Sequence, residues 1–244
     1  MKENQPLQNI NRVITMKKYN KIKKILFAAI CGGLFIACQQ PHNVNDPLQV
    51  LCLGNSITKH PIKEDIEWFS DWGMAASNIE YDYCHQLEKM LCKYHPNSTV
   101  TPLNIASWER NLSCDIDSLI GSYCKNKDII IIRLGENVQD VTTFPDAISR
   151  LVKYCQSKAK RVIITGCFWK NDSKERSIIH AARTNDLTYV PLYWIDNLYN
   201  VRPQIGDTLY INKKPYVITQ DFIITHPNDE GMQMIAETIW GVIR

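Results

Sequence analysis

"QVLCLGNSIT" (residues 49–58) is the stretch on which the reading of this chain turns. The run from Gln49 to Leu53 has four apolar members in five and is broken at once by Gly54, Asn55 and Ser56. A short apolar run bounded by turn residues reads as a buried strand. This one stops on a hydroxyl, and the fold has to explain why. Four later runs repeat the pattern: "TVTPLNIA" (99–106), "DIIIIRL" (128–134), "RVIITG" (161–166) and "LTYVPL" (187–192). Ile129 to Ile132 is apolar without alternation, as in a parallel strand covered on both faces.

Between the runs the period changes. Tyr83, Leu87, Met90, Leu91 and Tyr94 recur at helical spacing, as do Ile148, Leu151, Val152 and Cys155, and Met232, Ile235, Ala236, Ile239 and Ile243. Strand and helix in alternation predict right-handed crossovers and an α/β domain, a five-stranded parallel sheet with helices on both faces, over 48–244. Residues 197–220 fit this alternation poorly and read as a hairpin or lid.

The first 37 residues stand apart. A basic stretch is followed by an apolar segment, Ile25 to Ala37, that is too short to span a bilayer. Leu34 to Cys38 resembles a bacterial lipobox, which implies a signal peptide over 1–37 with Met16 as the true start, lipidation at Cys38, and a short tether over 38–47. The alternative is an ordinary cleaved secretory peptide with a chance cysteine. Seven of the 28 Lys and Arg and one of the 25 Asp and Glu lie in this leader, so the remainder holds 21 against 24 and is net −3. The basic bias therefore belongs to targeting, and nothing recommends nucleic acid as a partner. Seven cysteines follow Cys38 with no C-x-x-C pair and no histidine at zinc-like spacing. That argues against a metal site, and no disulfide is expected.

In open parallel sheets, ligands sit beyond the carboxyl ends of the strands. Three polar segments have that position or precede the last helix: "GNS" (54–56), "GEN" (135–137) and "THPNDEGM" (225–232). In this order they resemble the blocks of the SGNH (GDSL-like) hydrolase superfamily, with "WGMAAS" (72–77) resembling a bacterial branch of it. The resemblance implies the flavodoxin-like, doubly wound, three-layer α/β/α fold, with Ser56 as nucleophile, His226 as base, and Asn137 with the Ser56 backbone N–H as oxyanion donors. The residue types suit acyl transfer. A serine hydroxyl needs a base, histidine can serve near neutrality, and amide donors stabilise the developing oxyanion.

Two departures from the family pattern stand out. The triad aspartate belongs three residues before the histidine, where this chain has Ile223. Asp221, Glu109, or no acid at all remain, the last as a Ser-His dyad with a backbone carbonyl orienting the imidazole. Asp229 reads as the N-cap of the last helix. The second departure is "NIASWER" (104–110), which lacks the glycine of block II, so Ser107 or Trp108 would donate through the backbone provided the turn avoids a positive φ. Trp68, Trp72 and Trp169 read equally as sugar platforms or core residues. His60, His85, His95 and His180 read as structural or solvated.

The resemblance implies an esterase that removes short acyl groups, acetyl foremost, from carbohydrate, without cofactor or metal, held by lipid in the envelope of a Gram-negative-type bacterium. The rival is a carbohydrate-binding lipoprotein that kept the scaffold and lost turnover. A nucleotide binder is disfavoured because no Gly-rich phosphate loop is present.

Overall fold

The computed structural model describes residues 46–211 and 213–244. The leader, the expected cleavage site and Cys38 lie outside the described residues. Five strands, β1 (Gln49–Gly54), β2 (Thr99–Asn104), β3 (Ile129–Ile132), β4 (Arg161–Thr165) and β5 (Thr188–Val190), form one parallel sheet in the order β2-β1-β3-β4-β5. This is the flavodoxin-like order, with its topological switch between β1 and β3. Register is set by the core. Leu51 lies opposite Thr101 of β2 and Ile130 of β3, and Ile130 lies opposite Val162 of β4.

Helices cover both faces. Val50, Cys52, Ile129 and Ile131 pack toward α1 (Tyr83–Cys92) and the last helix, α6 (Asp229–Ile243). Leu51, Leu53, Ile130 and Ile132 pack toward α4 (Phe144–Gln156) and α5 (Asp172–Thr184). All four β3 isoleucines are buried, each contributing about 1.5–3 kcal/mol of apolar burial. Two five-residue helices, α2 (Ala106–Arg110) and α3 (Ile116–Ile120), follow β2. They are too short for a periodic stripe to announce them.

β6 (Thr208–Ile211) and β7 (Lys214–Val217) pair antiparallel as a separate two-stranded sheet. Trp68 and Trp72 meet edge to face within the core, 6.3 Å between centroids. The cap of α6 is Asn228 rather than Asp229: the Asn228 side chain accepts from the Gly231 N–H at 3.0 Å. Asp229 instead binds the Ser77 N–H and hydroxyl at 2.7 and 2.6 Å. Among the described residues no helix is long and apolar enough to cross a membrane.

Candidate active site

The turn after β1 sorts its side chains. Thr58 and Lys59 return their N–H groups to the Asn55 carbonyl at 2.9 and 3.0 Å, closing the turn. Ile57 enters the core, and Asn55 and Thr58 are wholly buried in polar contacts. Ser56, between them, faces the cavity described below. Gly54 keeps its backbone free of a side chain because the Thr58 hydroxyl lies where a Cβ would stand, 1.8 Å away. The glycine is therefore required by close packing, not by an unusual φ.

Ser56 Oγ lies 2.8 Å from His226 Nε2, across 170 residues of chain. "WGMAAS" straps the two segments together. The Met74 N–H donates to the Ser56 carbonyl at 2.9 Å, while Ser77 holds Asp229 at the start of α6. His226 is buried, and its Nδ1 faces the Phe222 carbonyl at 2.8 Å and the Thr225 hydroxyl at 3.2 Å. A carbonyl only accepts, so Nδ1 carries the proton and the Nε2 lone pair points at Ser56. Trp169 packs edge to face on the imidazole, centroids 5.4 Å apart, and its indole N–H donates to the Thr225 carbonyl at 2.8 Å.

Burial depresses the His226 pKa to about 4, against a smaller upward effect of the Phe222 carbonyl. Asp221 does not supply the missing acid. It is exposed, and the carbonyl of its neighbour Phe222 occupies the place beside Nδ1. Ile223 is fully buried in the core.

Glu109 is likewise not a partner of His226. Its Oε1 accepts from the Gly135 N–H at 2.6 Å, the Asn137 N–H at 3.3 Å and Asn55 Nδ2 at 3.3 Å, and its Oε2 accepts from Asn137 Nδ2 at 2.6 Å. Behind it, the fully buried Arg133 donates to Glu136 at 2.7 Å and to the side-chain oxygen of Asn55. Asn55 Nδ2 reaches Glu136 at 2.7 Å. Burial pushes Glu136 up, but the Arg133 charge and hydrogen bonds from Phe168 N–H, Arg133 and Asn55 outweigh it and leave its pKa below the usual carboxylate range. Glu109 moves the other way, raised by burial and by the Glu136 charge.

Ser56, Ser107, Asn137 and His226 all line one cavity of about 1130 Å³. Its walls include Pro61, Met74, Leu103 and Phe222, and His60 reaches it as well. Ser107 stands in the first turn of α2, where an N–H has no intrahelical carbonyl. The Trp108 N–H is taken by the Ile105 carbonyl at 2.9 Å and its side chain is fully buried, so Trp108 is not a donor to the cavity. Ile105 enters the helix at φ −124°. No glycine is needed there.

Sequence reasoning does not single out Asn55, Glu109, Arg133 and Glu136 as a unit. The usable signal is an arginine closing an all-isoleucine strand, followed three residues later by a glutamate. Among the described residues no group of three or more His, Cys, Asp and Glu could hold a metal ion.

No family model and no curated protein sequence matches the chain. Solved structures do. An acetylxylan esterase, Axe2, from Geobacillus stearothermophilus superposes with a TM-score of 0.55 at 12% identity, over 82% of this chain and 95% of the other. An α/β hydrolase enzyme, LAE5, from the metagenome of Lake Arreo, Spain, gives 0.54 at 12% identity, over 81% and 95%. At such identity the likeness is one of fold: this chain shares the three-layer α/β/α architecture of those enzymes.

Proposed function

We propose that the chain is a serine esterase of the SGNH type, hydrolysing short-chain acyl esters, acetyl foremost, on carbohydrate. The observation that carries this reading is the 2.8 Å contact of Ser56 Oγ with an imidazole nitrogen whose protonation is fixed by its other neighbour. The fold likeness to an acetylxylan esterase supports the substrate class. The lipobox-like end of the leader over 1–37, followed by Cys38, supports lipid anchoring in a Gram-negative-type envelope.

In the first displacement, Ser56 Oγ bonds to the ester carbonyl carbon as its proton passes to His226 Nε2. The oxyanion that forms meets the Ser56 N–H, the Ser107 N–H and the Asn137 carboxamide. Collapse breaks the carbon–oxygen bond to the alcohol, which leaves with the proton from Nε2. Water then attacks the acyl-serine, giving its proton to Nε2, and that proton returns to Ser56 Oγ as the acid departs. No step calls for a metal or cofactor.

One observation favours the rival reading of a weakly active or inactive carbohydrate-binding lipoprotein: among the described residues, His226 Nδ1 meets the Phe222 carbonyl and the Thr225 hydroxyl and no carboxylate. The catalytic mutants of Axe2 replace a serine in one case and an aspartate in another. Turnover of p-nitrophenyl acetate by wild type and Ser56→Ala separates the readings. The esterase reading expects the variant to lose at least about a thousandfold in kcat. Equal rates for the two proteins would leave the binding module.

A further inference from the structure

We infer that Glu109 is a positioning residue that locks the Asn137 carboxamide into the oxyanion hole. The inference rests on the esterase reading and extends it to a residue that touches neither substrate nor base. Glu109 is almost fully buried, yet it is not spent on an ion pair with a neighbouring cation; both of its oxygens are turned to N–H donors. Those donors come from the two loops that carry the proposed chemistry: Asn55, adjacent to Ser56, and Gly135 with Asn137 after β3. Glu109 itself sits on α2, the helix that also presents Ser107 to the cavity. One carboxylate thus ties together the three chain segments from which the oxyanion donors come.

The bond to Asn137 Nδ2 uses one of its two hydrogens, and the carboxylate leaves the amide no freedom to turn its oxygen toward Glu109, because two oxygens would then face each other. The second amide hydrogen remains for the substrate. The Asn137 backbone N–H is held by the same carboxylate, so both ends of the residue are fixed. Preorganisation of this kind matters because a donor that must reorient during the reaction forfeits most of its advantage. The missing block II glycine and the presence of Glu109 lie in the same segment, "NIASWER", where a short helix carries both the N–H of Ser107 and the tether.

The test is a double-mutant cycle on p-nitrophenyl acetate with Glu109→Gln and Asn137→Ala. The introduced carboxamide has one acceptor oxygen where the site presents donors to two, so its own amine must face an N–H. We expect kcat to fall on the order of 10- to 100-fold, as for loss of a charged hydrogen bond, with KM changed less than about twofold. Asn137→Ala alone should lose about a hundred- to thousandfold. In the Asn137→Ala background, Glu109→Gln should add less than about a threefold loss. Equal losses in both backgrounds, or full kcat in Glu109→Gln, would overturn the assignment.

A second readout does not depend on turnover. In ¹H–¹⁵N spectra, the Asn137 side-chain amide, identified by its disappearance in Asn137→Ala, should be shifted downfield and protected from exchange in wild type, and should lose both properties in Glu109→Gln. If that variant does not fold, the wild-type resonance decides, and a shift and exchange rate like those of a solvated asparagine refute the tether. A wild type no faster than Ser56→Ala sinks the esterase reading, while the amide signal still judges the Glu109 contact.

Discussion

Two supports of unlike kind flank Ser56. On the Asn137 side, Asn55, Glu109, Arg133 and Glu136 form a buried lattice of charged and amide groups in which each member has at least two partners. On the His226 side, the imidazole rests on one backbone carbonyl, one threonine hydroxyl and a T-shaped contact with Trp169. The difference separates two tasks usually assigned to a triad acid. Fixing the tautomer needs only an acceptor, and the Phe222 carbonyl is one. Stabilising the imidazolium needs negative charge, and the carbonyl has only a dipole. The site is thus rigid where an oxyanion would form and electrostatically plain where the proton would travel.

The largest effect should come from breaking the rigid side. Arg133→Met removes the cation between Glu136 and Asn55 and leaves a buried carboxylate without its ion pair. Breaking a buried pair in this way costs about 3–5 kcal/mol, to be read by urea unfolding. A loss below about 1 kcal/mol would mean that the lattice is not what makes that side rigid, and the contrast would fail.

A somewhat smaller effect sharpens the other side. Ile223→Asp would restore the aspartate of the family pattern at the position three before His226. Ile223 is fully buried among apolar side chains including Met232 and Ile235. The new carboxylate would enter the core, so about 2–4 kcal/mol of stability should be lost and kcat should not rise. A gain in kcat would show that position 223 can reach the imidazole and that the carbonyl is a poor substitute rather than the support of this fold.

The sheet is legible in the sequence because its signals are local. Five apolar runs and three helical stripes, including the four consecutive isoleucines of β3, announce the alternation, and each strand falls on the run that names it, β1 continuing one residue further to Gly54. Ser56, Asn137 and His226 are legible because each follows a strand or precedes the last helix, and all three line one cavity. What supports them is not. Phe222 acts through its carbonyl, which carries no side-chain identity, and Asp221 beside it draws notice for a charge that is exposed to solvent. Glu109 reads as a partner for the histidine because a carboxylate in sequence does not reveal which of two flanks it faces. Asp229 and Asn228 are both capping types, and only the bond of Asp229 to Ser77 shows why its neighbour takes the cap.

The subtlest expected effect is on pH dependence, and it follows from the plain side of the site. An imidazole beside a buried carboxylate gains affinity for its proton, whereas His226, desolvated and facing a carbonyl, is depressed to about 4. The base form therefore persists well below the ~6.5 of a free histidine. The sign for stability runs the same way. Between roughly pH 6.5 and 4 the unfolded chain binds a proton that the native imidazole refuses, so this residue makes stability fall as pH is lowered through that window. NMR titration of the His226 ring should accordingly give a midpoint below about 5, and the acid limb of kcat/KM assigned to that ring should lie there too. A midpoint at or above about 6.5 would mean that an anion reaches the ring in solution, and the two flanks would then be alike in kind.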